Sequence, residues 1–287
     1  MRAIIVTAAN EAFMPLLRGL IMSLQQWDPP PFTALACFDV GLGPESREWV
    51  SQHASHVVAP EWDLPVDRQL REREPHLRAN TARPFLPKYF PGYDVYLWID
   101  ADAWVQERFA LDWYFEAAAT GSLAAAPQVD RAYRHYASVV GLRTRRMQQG
   151  FGEEAGRRAL WDVYLNSGVF ALRSDAPHWK CWAQHFSKGL DATNGGMCSD
   201  QTALNHMLWT ENLPLHPLPA LCNWTCHLAL PSYDLQRRKF CEPFAPSRSI
   251  GILHLTGRTK DLELDLNGDV LKRKINLRFP NPEQLSF

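Results

Sequence analysis

Short apolar runs of strand length alternate with stretches of helical periodicity in the first part of the chain. Residues 3–7, 33–38 and 57–58 have strand character, and residues 13–27 and 44–53 place apolar side chains three or four positions apart, as one face of a helix does. Strands and helices that alternate in this way form parallel sheets with helices on both faces. The pattern therefore predicts an α/β fold with a doubly wound, mostly parallel central sheet flanked by helices.

The composition is that of a folded domain with a small ligand. The 287 residues are 46% hydrophobic, enough for a full core, and 30 basic residues face 31 acidic ones. This balance argues against nucleic acid or an anionic membrane as a partner of the whole chain. Six scattered cysteines predict buried free thiols in a reducing compartment. With no run that resembles a signal peptide or a membrane span, we expect a cytoplasmic protein.

An acidic pair follows an apolar run of strand length. Residues 94–99 read Asp-Val-Tyr-Leu-Trp-Ile and lead into Asp100, Ala101 and Asp102. The carboxyl ends of strands are where open α/β sheets bind ligands. Carboxylates two apart on a strand project to the same side and repel each other unless a cation lies between them. The pair therefore predicts a site for Mn²⁺ or Mg²⁺, although an Asp-X-Asp sequence also fits a solvated turn.

Six short motifs occur in order along the chain. They are residues 5–10 with the helix that follows, Ala82-Arg83, Asp100-Ala101-Asp102, and residues 164–173, 198–205 and 249–260. In this order they resemble the retaining glycosyltransferases of family 8, the group of glycogenin, galactinol synthase and bacterial lipopolysaccharide galactosyl- and glucosyltransferases. The resemblance implies a single GT-A-like domain over residues 1–260 and a C-terminal extension over residues 261–287. It implies transfer of a hexose from UDP-glucose or UDP-galactose to a glycan, a lipid-linked or a small-molecule acceptor.

The last motif implies a third metal ligand. Residues 254–260 read His-Leu-Thr-Gly-Arg-Thr-Lys, similar to the family's His-x-x-Gly-x-x-Lys. The resemblance makes His254 a ligand beside Asp100 and Asp102, and neutral imidazole is a competent ligand for manganese. Gly257 would let the backbone approach the donor closely. Lys260 would neutralise phosphate. A histidine at a strand end also fits ordinary packing.

The first motif implies a nucleoside site. Ala8, Ala9 and Asn10 would face the base and the ribose, and Ala101 belongs to the same donor-binding set. An asparagine between a strand and a helix fits a helix cap equally well. Arg83 stands 17 positions before Asp100, as in the family, and would contact the donor sugar and phosphate.

The sequence around Arg83 departs from the family's pattern. Pro84 replaces the usual aliphatic residue, and residues 80–81 are Asn-Thr where the family has an aromatic residue. The reach of Arg83 depends on this local backbone. Without its register to Asp100, Arg83 would be read as a solvated surface residue.

Two further motifs imply contacts with the transferred sugar. Asn166 would lie near the donor sugar, Asp200 would accept hydrogen bonds from its hydroxyl groups, and Gln201 would lie beneath the anomeric carbon. With Lys260, Asp200 and Gln201 form the implied catalytic set. Gln201 is a poor nucleophile, which favours front-face attack over a covalent intermediate. Asn166 also fits a strand cap, and Asp200 fits the N-terminus of a helix.

Two other classes stay open. Residues 98–105 resemble the Asp-x-Asp-x-Thr/Val motif of haloacid-dehalogenase phosphatases, although at least three strand patterns precede them. In addition, Trp104 replaces Thr or Val, and the later Gly-Asp lies in the polar tail at residues 268–269. The second class is a sugar-nucleotide-binding protein of the same fold that has lost turnover.

Two basic segments have more than one interpretation. Residues 130–163 are rich in arginine and aromatic residues, which fits a solvated helical face or the docking of an anionic acceptor. Residues 271–279 mix basic and apolar side chains, so weak peripheral contact with the inner face of the membrane stays open.

Overall fold

The structure is a computed structural model that describes residues 1–28, 30–196, 198–265 and 274–279. The Gly-Asp pair at 268–269 and the beginning of the basic tail at 271–273 lie outside the described residues. Within the described ranges, no helix is both long and apolar enough to cross a membrane.

The six cysteines are free, as predicted, and Cys181 alone among them is not fully buried.

A seven-stranded sheet forms the centre of the molecule. The described residues form strands in this sheet and in three smaller ones, namely β1 (Ala3–Ala9), β2 (Ala34–Asp39), β3 (His56–Val58), β4 (Val95–Ile99), β5 (Ala103–Val105), β6 (Leu123–Pro127), β7 (Leu165–Arg173), β8 (Leu215–Pro217), β9 (Trp224–Thr225), β10 (Ser232–Asp234), β11 (Lys239–Cys241), β12 (Ile252–His254), β13 (Glu263–Asp265) and β14 (Lys274–Asn276). The order in the large sheet is β3-β2-β1-β4-β7-β6-β8. Only β7 runs antiparallel to its neighbours in that sheet. The predicted mostly parallel α/β sheet is confirmed.

Helices cover both faces of this sheet. They are α1 (Met14–Gln25), α2 (Pro44–His53), α3 (Arg68–Arg73), α4 (Arg78–Ala82), α5 (Leu86–Tyr89), α6 (Arg108–Ala119), α7 (Ala137–Phe151), α8 (Glu153–Trp161), α9 (His178–Ala192) and α10 (Asp200–Thr210). Helices α1, α2 and α6 pack on the face that contains Ile5 and Leu97. Helices α4, α5, α9 and α10 pack on the opposite face, which contains Ile4 and Trp98. The strands are apolar on both sides because both faces are buried.

The segment between β3 and β4 is more helical than its sequence indicates. Residues 59–75 are rich in proline and charge without a clear period, which predicts a surface loop, but α3 lies within them. The sequence predicts a helical stretch around residues 76–88, and the structure has it as short pieces, α4, a 3₁₀ turn and α5. Pro84 and Pro87 lack the amide hydrogen that a continuous helix would need, so the helix is interrupted there.

A small second sheet stands beside the end of β4. Its strand order is β5-β12-β9. Strand β12 pairs antiparallel with β5, and His254 lies opposite Ala103. The chain leaves β4 at Asp100 and enters β5 at Ala103, so this pairing carries His254 to the acidic turn. The described end of the C-terminal extension packs on the same sheet, where Trp104 Nε1 donates to the Leu277 carbonyl oxygen at 2.8 Å.

Candidate functional site

Three side chains predicted as metal ligands meet at the end of β4. One ligand atom from each of Asp100, Asp102 and His254 lies within 4.8 Å of the others. Nε2 of His254 is 3.2 Å from Oδ1 of Asp102 and 3.7 Å from Oδ2 of Asp100. The backbone holds this arrangement, because the amide of Leu255 donates to the Asp102 carbonyl oxygen at 2.8 Å. Sequence separated these groups by about 150 positions, and the β5–β12 pairing joins them.

A hydrogen-bonded chain fixes the ring of His254. Oδ1 of Asn166 accepts from the backbone amide of Gly168 at 2.9 Å, which identifies that atom as the oxygen. Nδ2 of Asn223 donates to the same oxygen at 3.0 Å, so Oδ1 of Asn223 must be the atom that faces Nδ1 of His254, at 2.9 Å. An amide oxygen only accepts, so Nδ1 carries the hydrogen and Nε2 is the atom left for a cation or a proton.

The residues present fit a divalent cation. Two carboxylates and one imidazole nitrogen converge, and the other imidazole nitrogen is oriented by an amide, as is usual for a histidine that binds a metal. Burial raises the pKa of Asp100 above its ordinary value, against the opposing effects of Arg83 and His254. The cost of burying the Asp100 charge is one that a cation at this point would offset.

Gly168 makes room for the two central ligands. A Cβ atom at this position would collide with Cε1 of His254 and would lie 2.6 Å from Oδ2 of Asp100. Such a Cβ would force one ligand to move, so only glycine fits while both ligands keep their places. Gly168 is part of the motif at residues 164–173, but its role depends on tertiary packing that the motif does not reveal.

Arg83 lies between two carboxylates. Its Nη1 is 2.5 Å from Oδ2 of Asp200 and its Nη2 pairs with Oδ1 of Asp100. The guanidinium also lies over the ring of Trp98, 4.5 Å from the centroid. Arg83 is 7% exposed, so the alternative of a solvated surface arginine is wrong. Arg83 also lines the ligand cleft at this end of the sheet, and part of its hydrogen-bonding capacity is already used within the protein.

The residues predicted to contact the sugar form one network. Oε1 of Gln201 accepts from Nδ2 of Asn166 and from the amide of Ser167, each at 3.2 Å. Asp200 accepts from Oγ of Ser167 at 2.8 Å and is 3% exposed. Asp200 is the first residue of α10, and the N-cap is Ser199. The side chains of Asn166, Asp200 and Gln201 are thus fixed before any ligand binds.

A cleft of about 520 Å³ runs across this end of the sheet. It is lined by nine of the residues predicted to bind the donor, namely Ala8, Ala9, Asn10, Arg83, Asp100, Ala101, Asn166, Asp200 and Gln201. Asp102 lines it as well. Asn10 also caps the turn before α1, with Oδ1 accepting from the amide of Phe13 at 3.2 Å, so a role at the nucleoside would be additional.

Gly257 and Lys260 lie just outside the lining of this cleft. Gly257 has φ of 63°, a conformation that favours glycine, and it begins the 3₁₀ turn Gly257–Thr259. The turn brings Nζ of Lys260 to 2.6 Å from Oδ2 of Asp102 and 3.0 Å from the Leu255 carbonyl oxygen. Lys260 therefore neutralises a carboxylate of the triad in the structure, and its predicted contact with phosphate stays a prediction.

Comparison with known proteins supports the fold. No protein-family model matches the chain, and no curated protein matches its sequence. A solved galactosyltransferase, LgtC, in complex with donor and acceptor sugar analogs, matches with a TM-score of 0.57 and 16% identity, over 89% of this chain and 88% of that one. The chain has a glycosyltransferase fold. Its predicted GT-A architecture is thereby confirmed.

Two other solved glycosyltransferases match over nine-tenths of this chain. The bifunctional WbbM matches with a TM-score of 0.58 and 13% identity, over 91% of this chain and 47% of its own. The apo form of GlyE from Streptococcus pneumoniae matches with a TM-score of 0.52 and 15% identity, over 90% of this chain and 55% of its own. The glycosyltransferase fold of this chain thus spans about half the length of each of these two proteins.

Proposed function

We propose that this protein is a retaining, metal-dependent glycosyltransferase of family 8 that moves a hexose from a UDP-sugar to an acceptor hydroxyl. The observation that carries the proposal is the meeting of Asp100, Asp102 and His254 at a cleft that the two aspartates line, in a fold shared with solved glycosyltransferases. UDP-glucose and UDP-galactose are the donors that the motifs favour. Location in the cytoplasm, with or without weak contact to the inner face of the membrane, stays a prediction.

The order of groups along the sheet edge matches the order of groups in such a donor. The carboxyl end of β1 carries Ala8 and Ala9 for the nucleoside. The end of β4 carries Asp100 and Asp102, which together with His254 of β12 would hold Mn²⁺ or Mg²⁺. When bound there, the cation would stabilise the negative charge of the diphosphate. The start of β7 carries Asn166, next to Gln201 and Asp200, for the sugar.

The side chains around the sugar favour front-face attack. Gln201 is an amide, and its oxygen already accepts from Asn166 and Ser167. The carboxylate of Asp200 is paired with Arg83 and Ser167. Neither group is a free carboxylate that could form a covalent glycosyl intermediate. In the proposed step the bond from the anomeric carbon to the phosphate oxygen breaks, the acceptor oxygen bonds to that carbon from the same face, and the departing diphosphate takes the acceptor's proton.

The phosphatase alternative agrees less well with the geometry. A phosphatase of that class needs the first aspartate as a free nucleophile, whereas Asp100 is held by Arg83 and by Nε1 of Trp98, which donates at 2.7 Å. The acidic pair also follows the fourth strand along the chain, not the first. A binding protein without turnover keeps all of these contacts, so it is separated by assay alone.

One assay separates the three classes. The protein is incubated with Mn²⁺ and UDP-glucose or UDP-galactose, and in parallel with a phosphomonoester. Release of UDP that is lost in Asp102→Asn supports the transferase. Release of phosphate from the phosphomonoester supports the phosphatase. UDP binding without release of either product supports a binding protein. The exposed carboxylate of Asp175, paired with Arg173, provides a control, because Asp175→Asn should behave as wild type.

A further inference from the structure

Two arginines of α7 reach the cleft without a carboxylate partner. Arg143 and Arg146 are three positions apart, on the same side of the helix, and both line the cleft. Nε of each is buried and has no hydrogen-bond partner. Within the described ranges neither arginine forms an ion pair, because the carboxylates that form ion pairs have other partners. Arg145, between them, is exposed and does not line the cleft.

The other charges near the triad are close to balance among themselves. Arg83 lies between Asp100 and Asp200, and Lys260 pairs with Asp102, so two positive side chains face three carboxylates. The cation of the proposed site would match the diphosphate of the donor. When Arg143 and Arg146 are included, four positive side chains face three carboxylates, and one positive charge is left without a counterion. Partly buried charges without a counterion are unfavourable, so the arrangement calls for an anion that a nucleotide sugar does not supply.

The two arginines lie beyond the proposed sugar site. The guanidinium of Arg143 is 5.3 Å from the ring centroid of Tyr164, and Tyr164 lines the same cleft as Gln201. Along the sheet edge the strands run β1, β4, β7 and β6. The first three carry the groups assigned to nucleoside, diphosphate and sugar. Helix α7 lies in the connection from β6 to β7, where the next component of the reaction, the acceptor, would be bound.

We infer that Arg143 and Arg146 bind an anionic group of the acceptor, so that the acceptor is an acidic sugar or a sugar phosphate. The inference rests on the proposed function only where it calls the bound molecule an acceptor. The anion site itself rests on the two arginines. Guanidinium groups bind carboxylate and phosphate through paired hydrogen bonds, which gives both affinity and orientation. Such a pair would place an acceptor hydroxyl beside Gln201.

Calorimetry on the full chain tests this. Glucuronate and glucose 6-phosphate are titrated with glucose as the neutral control, once with Mn²⁺ and UDP present and once without them. We expect both acidic sugars to bind at least about 10-fold more tightly than glucose, the effect of gaining a charge-assisted contact. The double variant R143Q/R146Q should lose this preference, and Arg145→Gln should keep it. If the double variant fails to fold, Arg143→Gln and Arg146→Gln are measured singly.

Three outcomes would overturn the inference. The first is equal binding of glucose and the acidic sugars, and the second is an acid preference that survives in R143Q/R146Q. The third is tighter binding of UDP-glucuronate than of UDP-glucose that this variant removes, since that result would assign the arginines to the donor. Failure of UDP to bind with Mn²⁺ would instead remove the proposed function. In that case the titrations without UDP still report on the anion site.

Discussion

Oδ1 of Asn223 lies 2.9 Å from Nδ1 of His254, while Nδ2 of the same amide donates to Asn166 at 3.0 Å. One side chain therefore connects a proposed metal ligand to a proposed sugar contact. Asn223 is 2% exposed and does not line the cleft. It would act on both parts of the site only through the two residues that it holds.

Replacing this amide should weaken metal binding. In Asn223→Leu the ring of His254 loses its partner, and we expect the affinity for Mn²⁺ to fall about 10- to 100-fold, as when other groups that orient metal ligands are removed. Asn223→Asp can still accept from Nδ1, so it should retain much of the affinity even if the loss of the bond to Asn166 lowers its melting temperature. Manganese titration beside thermal unfolding checks this. Parallel losses of both quantities in the two variants would indicate a purely structural role.

A methyl group at Gly168 should disrupt the site from within. Its Cβ would collide with Cε1 of His254, and displacement of a group by about 1 Å in an active site can cost 100-fold in rate. We expect Gly168→Ala to lose UDP binding that depends on Mn²⁺. Gly141 is a matched control, because a Cβ there has no heavy atom within 4 Å. Equal binding by Gly168→Ala and Gly141→Ala would contradict the geometry of the triad.

The buried position of Arg83 predicts a large effect on stability. Arg83→Met would leave Asp100 and Asp200 without their counterion, and breaking a buried pair in this way costs about 3–5 kcal/mol. Arg47→Met removes the partner of Asp39 at a position where the arginine side chain is 50% exposed, and it should cost about 1 kcal/mol or less. Urea unfolding of both variants measures the difference. Similar losses in the two variants would mean that Arg83 is not the buried counterion of Asp100 and Asp200.

Lys260 should influence both rate and metal binding. The motif alone implies that Lys260 acts on the diphosphate, so Lys260→Met should lower the rate constant about 100-fold, the cost of losing one electrostatic partner of the transition state. Because Nζ lies 2.6 Å from Asp102, the same change also removes a positive charge from beside the metal site. We therefore expect tighter binding of Mn²⁺ in the absence of nucleotide. A manganese titration that matches wild type would place the action of Lys260 away from Asp102.

Local patterns in the sequence predicted the parts of the fold that depend on short-range order. The apolar run before Asp100 gave β4 with its acidic turn, and the spacing of residues 44–53 gave α2 with its bounds. Continuous apolar strands indicated a sheet covered on both faces. These features follow from periodicity and from turn-forming residues, which a single sequence displays.

The contacts between side chains could not be predicted in the same way. Asn223 stands in the short connection before β9, with no periodic pattern and no motif to mark it. The pairing of Arg83 with two carboxylates depends on the approach of α4, β4 and α10, and the pairing of Lys260 with Asp102 depends on the turn at Gly257. Such contacts follow from tertiary packing, which single residues in a sequence do not specify.

Binding of UDP in the presence and absence of a divalent cation tests the account most directly. The triad touches the donor chiefly through the cation, so UDP should bind in calorimetry with Mn²⁺ and should lose most of its affinity when a chelator removes the metal. Asp102→Asn should show weak binding in both conditions, while Asp175→Asn should behave as wild type. Equal affinity of the wild-type protein for UDP with Mn²⁺ and with the chelator would contradict the assignment of Asp100, Asp102 and His254 as the ligands that join metal and donor.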